Sequence, residues 1–346
     1  MAGHKRVAVY FAASPLQYLA AKRIAESFEQ ESRQVMVWYK PGLKSIVKPE
    51  EWDACAYLPW PRLEPMPGLF GRHRRLRQNI RLVADLIGGC ETLVIHSAVF
   101  DTEAINYFLD ALPKACGAAS MHARILPDGL ISIRRYPLTS AKRILQHTRK
   151  LRRVFAPELN YRCFSGDRIG SDAPFCDRIY VLPNLPNEYP AVKVTVLPPL
   201  VEGAHVPDGE ARQAHGRALV IGQPLVDCGL LSSQDAKAVT EAIREWLRQE
   251  GIRDIDYKAH PKDPAMELIH PDYHLINPPE ALESYLASTP YDAVIGVRSS
   301  ALLFARSLYP ASTRVLAFGW DKIRFKSKEE QQDMRNAFVK SGVTFK

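Results

Sequence analysis

Three short runs in this 346-residue chain place reactive side chains directly after apolar segments: Pro127-Asp128-Gly129, Ala259-His260-Pro261 and Arg298-Ser299-Ser300. A histidine titrates close to neutrality, so His260 can hand a proton or a hydrogen bond to a group that gains negative charge. Ser299 and Ser300 stand where a helix begins. Two hydroxyls there, with unpaired backbone N–H groups and the positive end of the helix dipole behind them, form an anion site. Asp128 offers a carboxylate that can take a proton. Each run also has an ordinary structural use: Asp-Gly makes turns, His-Pro stops strands and Ser-Ser starts helices. Their order, one in the first half of the chain and two in the second, is what points to a common site.

Other chemistries lack their signatures. No glycine-rich dinucleotide fingerprint follows the first strand, and no Walker-type phosphate loop occurs. The cysteines Cys55, Cys90, Cys116, Cys163, Cys176 and Cys228 are too scattered for a zinc or redox motif, so they read as structural thiols. Asp254 and Asp256 alternate within a strand, where they form its polar face rather than a metal-diphosphate pair. No metal and no cofactor are expected.

The elements that must position these residues alternate regularly. Arg6 to Phe11 is an apolar strand. Ser14 and Pro15 then supply the cap and first residue of a helix running to about Glu29. Further strands are expected at 35–39, 91–96, 123–126, 179–182 and 192–197, with helices at 72–86, 101–112 and 140–155. A proline-containing stretch from 198 to 216 reads as a linker. The pattern then restarts with strands at 217–221, 254–258, 274–276, 291–296 and 314–318, and with helices near 233–249, 280–287, after Ser300 and at 326–339. Such alternation predicts parallel sheets covered on both faces, hence an α/β fold of two Rossmann-like domains facing a cleft. The expected boundaries are 1–205, 206–325 and a final helical segment, 326–346, returning to the first domain. Ligands of such folds bind at the carboxyl ends of the strands. Glycosyltransferases, epimerases and binding proteins all use this layout.

The motifs together make the chain similar to bacterial sialyltransferases that carry an acidic-acidic-Gly, a His-Pro and a Ser-Ser or Ser-Thr motif. Ala13 to Leu19 after the first strand and Leu219 to Leu225 at the start of the second domain add to the likeness, which extends to the lipooligosaccharide sialyltransferase and polysialyltransferase families. The resemblance implies a GT-B fold and an inverting, metal-independent transfer of sialic acid or a related ulosonic acid. The donor would be its CMP-activated form, and the acceptor a bacterial surface glycan or glycolipid. His260 and Pro261 with Ser299 and Ser300 would bind the leaving phosphate, Glu280 would meet ribose or cytosine, Gln223 would touch the donor, and Asp128 would be the base. Pro127 stands where the pattern has its first acid, so Asp101 and Glu103 are reserve candidates for that role.

The net charge of +8 points to an anionic partner. Two basic helices, 72–86 and 140–155, fit an anionic membrane surface. No nucleic-acid signature accompanies them, and their charges are not interleaved with aromatic residues in the way such binding requires. No run approaches the length of a membrane span and no signal peptide precedes the first strand, so a cytoplasmic protein, peripheral on the inner face of the plasma membrane, is expected. Two competing readings are a GT-B enzyme acting on a UDP- or GDP-sugar and a non-catalytic polyanion-binding protein.

Overall fold

The computed structural model describes residues 4–129, 135–183, 185–200, 216–260, 263–278 and 282–346. The chain divides into two compact units, Met1–Leu182 with Asn187–Leu200, and Pro183–Pro186 with Val201–Lys346.

The first unit is built on strands β1 (His4–Ala12), β2 (Arg33–Trp38), β3 (Ala54–Tyr57), β4 (Cys90–Ser97), β5 (Ser120–Ile125), β6 (Cys176–Val181) and β7 (Val194–Val196), with helices α1 (Pro15–Phe28), α2 (Gly71–Ile87), α3 (Glu103–Cys116) and α4 (Ser140–Leu151). The strands lie in the order β3-β2-β1-β4-β5-β6-β7, and every described pair is parallel. Val7 to Ala12 are all buried, as a strand covered on both faces must be. Ser14 caps α1 by accepting from the Gln17 N–H at 3.3 Å, and Pro15 supplies its first residue. Val83 and Ile87 of α2 and Ile105, Phe108 and Leu112 of α3 pack into the core beside Val9, Phe11 and Ile95.

The second unit repeats the scheme with β8 (Arg217–Ile221), α5 (Ser233–Gln249), β9 (Asp254–Lys258), β10 (His274–Ile276), α6 (Leu282–Ser288), β11 (Ala293–Gly296), α7 (Ser300–Leu308), β12 (Arg314–Ala317), α8 (Lys328–Lys340) and β13 (Thr344–Phe345). Its order is β10-β9-β8-β11-β12-β13, again parallel throughout. Both sheets therefore grow outwards in two directions from their first strand. The chain leaves that strand on one side, then returns to its other side with the fourth strand of the unit, giving the doubly wound α/β fold expected.

The tail supplies a strand that the sequence reading lacks: β13 pairs with β12 at Leu316↔Thr344 and Ala317↔Phe345, which completes the second sheet. Trp320 explains the docking. Its ring lies 5.2 Å from Phe338 and 4.8 Å from Phe345, so the tail supplies the aromatic surface that buries it. The short edge strand β3 is also additional to the sequence reading. Its four half-buried residues, Ala54 to Tyr57, lack a clear period.

One face of the first sheet carries a buried ionic network. Glu29 is 2% exposed and accepts from Arg6 Nε at 3.0 Å and from the Ser32 hydroxyl at 2.9 Å. It also pairs with Arg124, whose fork reaches both oxygens of Asp177 at 3.1 and 3.2 Å. Glu29→Ala would leave the Arg124 guanidinium buried beside an empty site. A loss of about 3–5 kcal/mol is expected in urea unfolding of the full chain, against a near-neutral effect for exposed Glu31→Ala.

Candidate active site

In the second unit the candidate residues follow three neighbouring strands. Gln223 follows β8, His260 follows β9 and Ser299 follows β11, and the sheet order places these strands side by side as β9-β8-β11. The expected motifs thus share one carboxyl rim, at the point where the sheet changes its direction of growth. The Gly222 N–H donates to the Lys258 carbonyl at 2.9 Å and ties the first two strand ends together. Glycine is required there: a Cβ would lie 2.5 Å from the Tyr257 hydroxyl. The Gln223 side-chain oxygen accepts from the Arg298 N–H at 2.8 Å and so ties β8 to the start of α7.

Ser299 caps α7, its Oγ accepting from the Ala301 N–H at 3.2 Å, while its hydroxyl proton remains available to donate. Ser300 is exposed at the first residue of the helix. Arg298 turns away from this rim. Its guanidinium lies 3.0 Å from Glu330 and packs over Phe325 at 5.3 Å, so it anchors α8. His260 is half-buried, and its carbonyl accepts from the Asp263 N–H at 2.9 Å. Lys258 is half-buried as well, and burial pushes its ammonium pKa down. Pro261, Lys262 and Glu280 lie outside the described residues.

Asp254 and Asp256 come close to His274, the three ligand atoms lying within 4.8 Å of one another. These residues belong to an ion-paired structural cluster. Arg217 meets Asp254 at 3.4 Å and Asp256 at 2.8 Å, and the Tyr291 hydroxyl donates to Asp256 at 2.5 Å. The guanidinium already supplies the positive charge there.

In the first unit Asp128 lies three residues beyond the end of β5. It is half-buried, and burial raises its carboxyl pKa, with a hydrogen bond from Gln17 working in the opposite direction. The Gln17 side-chain oxygen accepts from the Ala13 N–H at 2.7 Å. Its amide therefore links the end of β1 to Asp128. Tyr39, stacked on Trp60 at 4.3 Å, lies close enough to Asp128 for the carboxylate to raise its phenol pKa, although burial is the larger cause. Gln17 and Tyr39 are the neighbours that motif reading did not single out. Gln17 is the third residue of α1, a position that carries no sign of the carboxylate it reaches.

The reserve carboxylates have another occupation. A cavity of about 530 Å³ at the carboxyl end of β4 is lined by Arg62, Arg72, Lys142, Arg149, Arg152 and Arg168, together with Asp101 and Glu103. Asp101 is 5% exposed, accepts from Tyr161 OH at 3.1 Å and has Lys142, Arg149 and Arg168 within 3.9 Å. Glu103 pairs with Arg72 and Arg149, each at 3.7 Å, and with Arg152. Both carboxylates hold cations in place, which leaves Asp128 as the candidate base.

With this geometry in hand, residues 193–317 match the alpha-2,8-polysialyltransferase family, a stretch that contains Gln223, His260, Ser299 and Ser300. No curated protein matches the chain in sequence. Among solved structures, a protein described as a UDP-N-acetylglucosamine 2-epimerase from Listeria monocytogenes superposes with a TM-score of 0.50 at 13% identity, covering 98% of this chain and 88% of that one. A UDP-glucosyltransferase from Polygonum tinctorium superposes with a TM-score of 0.50 at 12% identity, covering 100% and 85%. The fold is that of two Rossmann-like units shared by GT-B glycosyltransferases and epimerases. The family match bears out the expected class, a sialyltransferase-like glycosyltransferase.

The Gln223 contact can be tested independently of any activity. Gln223→Ala removes the acceptor for the Arg298 N–H and should cost about 1–2 kcal/mol in urea unfolding. Gln223→Glu keeps an acceptor oxygen and should lose clearly less.

Proposed function

We propose that the protein is an inverting, metal-independent glycosyltransferase that moves sialic acid or a related ulosonic acid from its CMP-activated form to a bacterial surface-glycan acceptor. The observation that carries this reading is the second unit's rim. There His260 and the Ser299-capped helix follow the two strands that flank β8, inside the stretch that matches the polysialyltransferase family.

The chemistry follows from the leaving group. As the bond between the anomeric carbon and the phosphate oxygen breaks, the electron pair stays on CMP and its phosphate gains negative charge. Ser299 and Ser300, with the α7 N–H groups behind them, offer donors to those oxygens. His260 donates a hydrogen bond or proton to the same phosphate. The acceptor hydroxyl attacks the opposite face of the sugar and loses its proton to Asp128. A carboxyl pKa raised by burial suits that task, because it brings the base closer to neutral pH. Gln223, committed to the Arg298 N–H, acts in this scheme as a positioning residue for the phosphate-binding turn. The excess of cations around the first unit's cavity suits an acidic acceptor glycan.

The decisive measurement is CMP release with a panel of CMP-ulosonic acids. His260→Ala should lower kcat by about 10²–10⁴-fold; wild-type rates in that variant would remove the leaving-group role. In a thermal-shift screen CMP and CDP should stabilise the protein, whereas stabilisation by UDP or GDP alone would transfer the reading to a different nucleotide-sugar donor.

Asp128 makes a separate, two-part prediction. The rate should fall as pH drops through its carboxyl pKa, an acid limb placed above the ordinary aspartate value of about 3.9. Asp128→Asn should lose that limb and about 10²–10⁴-fold in rate. Because burial disfavours the ionised form, folding carries a cost that is full above the folded pKa and vanishes below the unfolded one. The neutral amide avoids it, so the inactive variant should melt higher than wild type at pH 7 and lose that advantage in acid.

A further inference from the structure

Helix α4 and the turn after it carry an unusual pair of faces. Inwards, Lys142, Arg149 and Arg152 line the cavity and meet Asp101 and Glu103. Outwards, large apolar side chains stand in solvent: Phe155 is 91% exposed and Val154, Ile144 and Leu151 each more than half. Gln146 is the helix's one buried residue. Packing within the fold therefore does not account for these apolar positions.

A second exposed pair adjoins them. Leu69 is 87% exposed and Phe70 75%, just ahead of α2. Phe70 lies 6.2 Å from the His73 ring, and Arg152, in the turn after α4, lies close enough to His73 to help lower its pKa, behind burial as the larger cause. Arg72 and Arg152 share Glu103, and Arg77 pairs with Glu158. Leu69-Phe70 and Val154-Phe155 thus belong to one side of the first unit. Arg143, Lys150 and Arg153 are interleaved with them and make no ion pair among the described residues.

We propose that this face, Leu69-Phe70 with the outer side of α4 and Val154-Phe155, is a docking surface for an anionic lipid membrane. Exposed apolar side chains with unpaired cations among them suit the boundary between acyl chains and anionic headgroups. A second copy of the chain fits less well, since a two-fold contact would set Arg143, Lys150 and Arg153 against their own charge. A nucleic acid also fits less well, because Ile144, Leu151, Val154 and Leu69 offer no platform for stacked bases. Among the described residues no helix is long and apolar enough to cross a membrane, so the contact is interfacial. The inference rests on the first unit alone and is independent of the proposed donor.

Cosedimentation of the full chain with lipid vesicles tests it. Binding is expected to phosphatidylcholine vesicles containing about one third phosphatidylglycerol, with little to phosphatidylcholine alone and several-fold weakening at high salt. Leu151→Ser with Phe155→Ser should lower the partition coefficient about tenfold or more at an unchanged melting temperature, since both side chains are exposed. Arg143→Glu with Arg153→Glu should lower it comparably through charge. No binding of wild type to the anionic vesicles, or wild-type binding by both double variants, would overturn the proposal. So would lipid-free dimerisation of wild type that Leu151→Ser with Phe155→Ser abolishes, since the face would then belong to a second copy.

Discussion

Parallel pairing is the constraint from which the rest of each unit follows. A parallel strand cannot return by a tight turn, so every pair needs a crossover, and the crossovers cover both faces of the sheet with helices. The backbone groups left at the carboxyl ends then have no strand beyond them to bond. Where the chain returns to the other side of the first strand, between β1 and β4 and again between β8 and β11, the two flanking loops run in opposite directions and leave those groups facing open space. In the second unit one side chain closes part of that gap. Gln223 accepts the Arg298 N–H, and the segment it steadies is the one that delivers Ser299 to the head of α7.

The same geometry gives the two units opposite electrostatic character at their candidate residues. Around Ser299 the groups are donors: hydroxyls, helix N–H groups and, two strands along the same rim, an imidazole. Around Asp128 the neighbours are an amide and a buried phenol, Gln17 and Tyr39, which give a carboxylate little compensation for lost water. A raised carboxyl pKa is the consequence. Asp101 shows the contrasting case within the same unit, since three cations and a tyrosine surround it. Proximity of acids to a strand end therefore does not identify a base; the company each keeps does.

Much of this was legible from residue order. Long buried strands such as Val7 to Ala12 announce themselves as apolar runs, and Ser14-Pro15 marks a helix start by backbone chemistry alone. The rims followed, because a motif directly after such a strand can only lie at its carboxyl end. The tail was not legible. Thr344 and Phe345 form too short a segment to show a period, and their pairing depends on Trp320 needing a cover, which is a tertiary requirement. Gln17 escaped for a similar reason, since a glutamine inside a helix carries no local signature of the carboxylate it reaches.

The basic helix α4 shows how one stretch of sequence can carry two meanings that composition cannot separate. Counted along the chain, Lys142, Arg143, Arg149, Lys150, Arg152 and Arg153 form a single cluster. The helical turn sorts them. Those spaced to face inwards, Lys142, Arg149 and Arg152, are neutralised by two carboxylates that precede or begin α3, and this neutralisation is what seats a helix with one buried residue against the unit. Arg143, Lys150 and Arg153 find no carboxylate among the described residues and share their side with Ile144, Leu151, Val154 and Phe155. Electrostatic anchoring on one face is thus what allows the other face to remain apolar and exposed. A helix held by apolar packing would have turned those same side chains into the core.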